Sequence, residues 1–315
     1  MKRFSAFFLL FCLLTAILSS CSSALVAPIS PDPTEEELPS QSTETKTIET
    51  ETAEETCAIP VGTKGKIPLK VVSFNVNTYN PKAEGAVHWD NRKDALCDYL
   101  LSSDADVICT QETPEIYRDY FAEKLGAVYG WEHFNHNMIF YRLDRFEKLS
   151  FTPYYYGTDP SVKAPAYDAS MERNFSVIHL REKESGAEFY AVATHLDHKG
   201  LKARIFAAKQ LVETLSQSTI SFILCGDFNS NEESYAYKDL TAAFLDAAKI
   251  AKFTDKGRTF NKWGELEEDG LPIDFIFVSP VNITAKSFRI LRDRWGENNL
   301  YSDHYPVCAE LEMAY

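Results

Sequence analysis

From Pro68 to the C-terminus, short apolar runs alternate with stretches in which apolar positions recur every three or four residues. Runs of four to eight residues predict buried strands, and the three-to-four spacing predicts amphipathic helices. LKVVSFNV, DVICTQ, NMIFYR, FSVIHLRE, EFYAVATHL and SFILCGD read as strands, and PIDFIFVS, ITAKSFRIL and YPVCAELEM close the chain in the same way. In NRKDALCDYLLSS the residues Ala95, Leu96, Tyr99 and Leu100 fall at helical spacing, and LKARIFAAKQLVETLSQ forms a second helix. Two groups of strands, each with helices on one side only, predict two sheets packed face to face with helices outside. No second linker interrupts the pattern, so residues 65–315 are expected to form one domain.

The first 64 residues follow other rules. Lys2 and Arg3 precede an apolar core from Phe7 to Ile17, the layout of a secretory signal over residues 1–21. Leu18–Cys21 resembles a bacterial lipobox, in which cleavage before Cys21 leaves that cysteine lipidated at the new N-terminus. A cleaved signal with a chance cysteine, or an uncleaved anchor, fits the same layout. Residues 22–64 are rich in Pro, Ser, Thr and Glu with too few aliphatics to bury a core, the composition of a disordered tether. A flexible chain of that length reaches about 35 Å. The expected product is exported and lipid-anchored to the outer face of a bacterial membrane.

Charge and cysteine usage refine this only slightly. The formal charge is −14, but the first 56 residues hold 3 basic and 9 acidic groups, leaving 29 basic against 37 acidic in the remainder. An acidic body argues against a large nucleic-acid face, because phosphate contacts are made mostly by Lys and Arg. Cys109, Cys225 and Cys308 lie in apolar runs, where a free cysteine acts as a small hydrophobe. That leaves Cys57 and Cys97 as the one pair to consider, and no disulfide between them is expected.

The polar residues are distributed less evenly than the charge. Asn75 follows VVSF, Glu112 follows DVICTQ, His195 follows YAVAT, and Asp227 follows FILCG with Asn229 two residues on. Asp274 lies inside LPIDFIFV, while Asp303 and His304 precede YPVCAEL. Each has a structural reading as a turn former, a helix cap or a hydrogen-bonded strand end. Gathered at one edge of a two-sheet core they would form a polar cluster walled by apolar residues, which is costly unless it binds something. Glu112, Asp303 and the Asn75 amide oxygen suit Mg²⁺ or Mn²⁺, and the absence of HExxH or CxxC speaks against the usual zinc sites. His304 with Asp274 would make a charged imidazole. Asp227 would orient or deprotonate a water, with Asn229 and His195 donating to a phosphate.

The set SFNVN, CTQET, ATHLDH, CGDFNS, PIDFIFVS and YSDHYPV resembles the endonuclease/exonuclease/phosphatase superfamily over residues 68–315, in order. The resemblance implies an α/β fold, a four-layer sandwich of two mainly antiparallel sheets between outer helices, and hydrolysis of phosphate esters with Mg²⁺ or Mn²⁺. It makes Asn75, Glu112 and Asp303 metal-site residues, gives Asp227 and Asn229 the nucleophile and phosphate, and pairs His304 with Asp274. His195 would contact the phosphate, and Arg173 falls where relatives carry a phosphate-facing arginine, although a surface ion pair explains it equally well. Asn77 stands where some nuclease relatives have aspartate, so a second metal position is open. HWDNRKDAL and THLDHKG resemble a bacterial subgroup of exported or uncharacterised hydrolases.

Substrate is less constrained. A phosphorylated small molecule, a nucleic acid or a phospholipid all fit, and neither a run of basic residues interleaved with aromatics nor a greasy insertion hairpin is present. Tyr154–Tyr156 and the segment RDRWGENNLY are candidate walls of the site, with strand packing the competing explanation for the tyrosines. An extracellular nuclease or a non-catalytic tethered binding protein is the alternative. No protein partner is predicted, and a monomer is expected.

Overall fold

The structure, a computed structural model, describes residues 64–315. The signal, Cys21, Cys57 and the tether as far as residue 63 lie outside the described residues. The strands are β1 (Lys66–Asn75), β2 (Val107–Gln111), β3 (Tyr129–Phe134), β4 (Asn137–Arg142), β5 (Phe146–Tyr155), β6 (Asn174–Glu182) and β7 (Glu188–His195), followed by β8 (Phe222–Asp227), β9 (Leu245–Asp246), β10 (Phe253–Thr254), β11 (Asp274–Val278), β12 (Ile283–Ile290) and β13 (Val307–Ala314). The helices are α1 (Trp89–Ser102), α2 (Glu115–Leu125), α3 (Leu201–Leu215), α4 (Tyr235–Thr241) and α5 (Ala247–Ile250).

They form a seven-stranded sheet, β10-β12-β13-β1-β2-β4-β3, and a six-stranded sheet, β5-β6-β7-β8-β11-β9. Most neighbours are antiparallel. Three pairs are parallel: β1–β2 and β7–β8, joined through α1 and α3 in the crossover that a parallel pair requires, and the short edge pair β10–β12. Three apolar layers result. Leu69, Val71, Cys109, Ala193, Ile223 and Ile276 lie between the sheets; Phe74, Leu96, Leu100, Tyr117 and Phe121 fill the space under α1 and α2; Leu211, Leu224, Phe228 and Leu240 do so under α3 and α4. This is the expected sandwich.

Several elements carry too weak a pattern to be predicted. The buried residues of α2, Tyr117, Phe121 and Leu125, make a one-residue-wide stripe on an otherwise charged helix. Most of β5 beyond Phe146 is half-buried or exposed, so it shows no continuous apolar run. Tyr154 and Tyr155 complete that strand, Tyr154 stacks on Phe175, and Tyr156 is buried, so the tyrosine run packs into the six-stranded sheet. RDRWGENNLY is likewise held by its own chain, with the Trp295 indole donating to the Leu300 carbonyl and Arg292 to the carbonyls of Lys256 and Ile290. Cys97, Cys109, Cys225 and Cys308 are free and buried.

Candidate active site

Strand alternation decides where the polar residues go. Successive side chains point to opposite faces, so Ile223, Cys225 and Asp227 share the inner face of β8; Ala191, Ala193 and His195 share that of β7; and Val278, Ile276 and Asp274 share that of β11. Register then lines up the ends, with His195 opposite Asp227 and Asp227 opposite Asp274. On the other sheet the row Ile67, Leu69, Val71 runs on to Asn75, beside Gln111. The apolar filling of the sandwich therefore ends, at one edge, in a polar floor contributed by both sheets.

Asn75 ties the floor together. Its Nδ2 donates to Glu112 Oε1 at 3.1 Å and to Asp227 Oδ2 at 3.0 Å, and its Oδ1 accepts the Asn77 N–H at 3.0 Å. Glu112 Oε2 accepts the Thr78 N–H at 2.7 Å. Asp303 Oδ2 accepts from the Asn77 amide at 2.9 Å, and Oδ1 from the Ser302 hydroxyl at 3.2 Å. Asp227 Oδ1 accepts the Asn229 N–H at 2.8 Å, while Oδ2 lies 3.3 Å from His195 Nε2 and 3.8 Å from His304 Nε2. His304 Nδ1 is 2.8 Å from Asp274 Oδ2. Asn229 Nδ2 donates to the Leu196 carbonyl at 3.0 Å and lies 3.1 Å from His195 Nε2.

Asn77, Glu112 and Asn229 all have positive φ, at 57°, 59° and 47°. Asparagine tolerates that conformation; glutamate rarely adopts it, so Glu112 is held there by the hydrogen bonds around it. Gly226, one residue before Asp227, is a matter of space. A Cβ there would lie 2.4 Å from the Thr194 carbonyl oxygen, so what the glycine admits is the neighbouring strand itself.

The electrostatics follow from burial and neighbours. Burial works against ionisation of Asp227, but His195, His304 and the Asn229 N–H hold its carboxyl well below the usual range. For Glu112 burial is again outweighed, by His195, the Thr78 N–H and the Asn75 amide, and its carboxyl is held low. Burial and the charge of Glu112 push Asp303 up. Burial opposes the charge on His304, yet Asp274, then Asp227 and Asp303, raise it to about 10.

Asp227, Asp274 and His304 lie close enough together to hold a metal by spacing alone. An imidazole protonated at neutral pH has no lone pair to offer, so this trio is better described as two carboxylates around one imidazolium. Glu112, Asn75 and Asp303 are oxygen-only donors, and each carboxylate keeps lone pairs beyond its recorded hydrogen bonds. With Glu112, Asp227, Asp274 and Asp303 crowded around one imidazolium, a hard divalent cation fits the charge as well as the donor chemistry.

Arg173 lies beside this cluster but its ion-pair partner is Asp197, with Nε to Oδ2 at 3.8 Å, and its Nη2 lies 3.2 Å from His198 Nδ1. Asp197 is itself held by the N–H groups of Ser170, Lys199 and Gly200 and by the Ser170 hydroxyl. Asp197, Ser302 and the main-chain N–H groups of Asn77 and Thr78 were not predicted. Asp197 and Ser302 stand inside THLDHKG and YSDHYPV, where position in the motif was the available signal; backbone donors leave none.

Comparisons with known proteins agree with this fold. A crystal structure of an endonuclease/exonuclease/phosphatase family protein from Bacteroides thetaiotaomicron superposes with a TM-score of 0.74 at 26% identity, covering 79% of this chain and 96% of that one. The mannosyl-6-phosphatase of the same organism gives 0.72 at 27% identity, over 77% and 99%. In sequence the chain is 25% identical to mouse nocturnin across 70% of its own length and 57% of that protein's. It is 24% identical to the Candida albicans CCR4-Not complex 3'-5'-exoribonuclease subunit Ccr4, across 72% and 38%. The chain thus spans little more than half, or less, of those curated relatives. The family model matches residues 72–304, from inside β1 to His304, so the chain belongs to the Endonuclease/Exonuclease/phosphatase family.

Proposed function

We propose that the protein is a Mg²⁺- or Mn²⁺-dependent phosphoesterase that hydrolyses the phosphate ester of a small polar alcohol, such as a sugar phosphate, by attack of a water held at Asp227. The observation that carries this is the setting of Asp227: buried at the meeting of two sheets, its carboxyl held low by its neighbours, and within 3.8 Å of the His304 imidazole that Asp274 pairs. Glu112, Asn75 and Asp303 would hold the ion, which when bound withdraws charge from a phosphoryl oxygen. Asp227 accepts a hydrogen bond from the attacking water and takes its proton as the bond to phosphorus forms and the ester P–O bond breaks, the departing alcohol oxygen taking a proton from solvent water. His304 Nε2, charged by Asp274, donates toward the oxygens on which negative charge builds, and Asn229 with His195 completes that wall. Arg173 supplies the nearby cation.

A small phosphorylated substrate is favoured over a nucleic acid by the acidic body, 29 basic groups against 37 acidic, and by the likeness to a mannosyl-6-phosphatase. Export and a lipid on Cys21 follow from the leader and would set the enzyme to work outside the cytoplasmic membrane.

The test is hydrolysis by purified protein, with and without Mn²⁺, of sugar and inositol phosphates, bis-p-nitrophenyl phosphate, sphingomyelin, RNA and plasmid DNA. Metal-dependent release of phosphate from a sugar phosphate, reduced about 100- to 10,000-fold in Asp227→Asn, is expected. Cleavage confined to RNA or DNA would replace the substrate class. Silence across the panel from a folded, metal-binding protein would favour the tethered binding protein.

A further inference from the structure

One buried cation takes no part in the chemistry above. Arg92, on the first turn of α1, is 1% exposed, and it is among the largest fully buried side chains of the described residues. All five of its N–H groups have acceptors. Nε donates to the Val87 carbonyl at 3.2 Å; Nη1 to the carbonyls of Val76 at 2.8 Å and Tyr301 at 2.9 Å; Nη2 to the Asn77 carbonyl at 2.8 Å and the Tyr117 hydroxyl at 3.1 Å. The rings of Trp89, Tyr117 and Trp263 enclose the guanidinium, with centroids 5.5–5.7 Å from its carbon. Among the described residues, no carboxylate is a hydrogen-bond partner of Arg92.

The four carbonyls come from the segment after β1, the turn before α1 and the segment before β13. The first of these carries the backbone donors of the acidic site. In a trans peptide the C=O and the following N–H point in opposite directions. The Val76–Asn77 peptide gives its C=O to Arg92 and its N–H to Asn75 Oδ1; the Asn77–Thr78 peptide gives its C=O to Arg92 and its N–H to Glu112 Oε2. By gripping both carbonyls, Arg92 aims both N–H groups. Its third carbonyl, Tyr301, lies two residues before Asp303.

We infer that Arg92 is a positioning residue of this site: through two peptide planes and the Tyr301 carbonyl it sets the orientation of the Asn75 amide oxygen, the Glu112 carboxylate and the Asp303 segment, and with them the affinity for a divalent cation. The inference rests on the metal-dependent reading above. Lysine cannot replace the arginine, because three donors on a point cannot reach acceptors spread around a planar fork.

The test is Mn²⁺ binding to the purified protein by calorimetry without substrate, beside kcat and KM. Arg92→Lys is expected to weaken Mn²⁺ binding about 10- to 100-fold, as loss of a ligand-orienting partner does, and to lower kcat far more than it raises KM. Tyr117→Phe removes only one hydroxyl partner and is expected to weaken Mn²⁺ binding roughly two- to five-fold with the fold retained. If Arg92→Lys fails to fold, Tyr117→Phe decides. Wild-type Mn²⁺ affinity in the folded variants would overturn the role of Arg92 and leave the metal reading standing; a wild-type protein that binds no Mn²⁺ would overturn both.

Discussion

His304 Nδ1 and Asp274 Oδ2, 2.8 Å apart, belong to opposite sheets: His304 leads into β13 of the seven-stranded sheet, and Asp274 begins β11 of the six-stranded one. The Asn75–Asp227 hydrogen bond at 3.0 Å crosses the same gap. The sandwich is thus clasped at one edge by charged and polar groups, next to the apolar core that lies between the sheets.

Removing one member of a buried pair strands the other charge, at a cost of about 3–5 kcal/mol. Asp274→Asn and His304→Gln are each expected to destabilise on that scale, and the double variant by clearly less than the sum. Urea unfolding of the four proteins checks this. An additive double variant would mean that the pair contributes no coupling.

Asp197 carries the pH dependence of the loop beneath Arg173. Burial opposes its charge, but the N–H groups of Gly200, Lys199 and Ser170 and the Ser170 hydroxyl hold its carboxyl down at about 2, against 3.8 ordinarily. A depressed carboxyl stabilises above its unfolded value and loses that contribution as pH falls through the folded one. The stability gap between wild type and Asp197→Asn is expected to be about 1–2 kcal/mol above pH 5 and to shrink between pH 4 and pH 2. A gap constant with pH would show that the carboxylate charge is not what the loop uses.

Gly226→Ala is expected to cost about 1–3 kcal/mol, because the obstacle is the backbone oxygen of Thr194 and not a side chain that can swing away. The same shift would separate Asp227 from His195, so activity should fall more than stability implies. A variant with wild-type melting temperature and kcat would contradict the packing described here.

Much of this was visible in the order of residues. Ile223, Cys225 and Asp227 sit two apart, so the apolar row and the acid that ends it are one periodic signal, and the same holds for Ala193 with His195 and Ile276 with Asp274. What stayed hidden depends on the main chain. Nothing in the letters says that the Asn77 and Thr78 amides face Asn75 and Glu112, or that Arg92 pairs with carbonyls when carboxylates are the commoner partners of arginine. Arg173 illustrates a third case: its place in the chain was readable, but Asp197, its actual ion-pair partner, comes from a turn 24 residues later.

The alternation that delivers Asp227 to the floor also makes strand length part of the chemistry. One residue inserted between Phe222 and Asp227 would rotate the carboxylate to the face under α3 and α4 and disorder the core row in the same stroke. Inheritable changes in substrate preference therefore have few routes through the strands. Segments outside the strands are under no such register, and residues 157–172 between β5 and β6, which bring Ser170 to Asp197 beside the floor, are where added chain would reshape the mouth with the least effect on the floor.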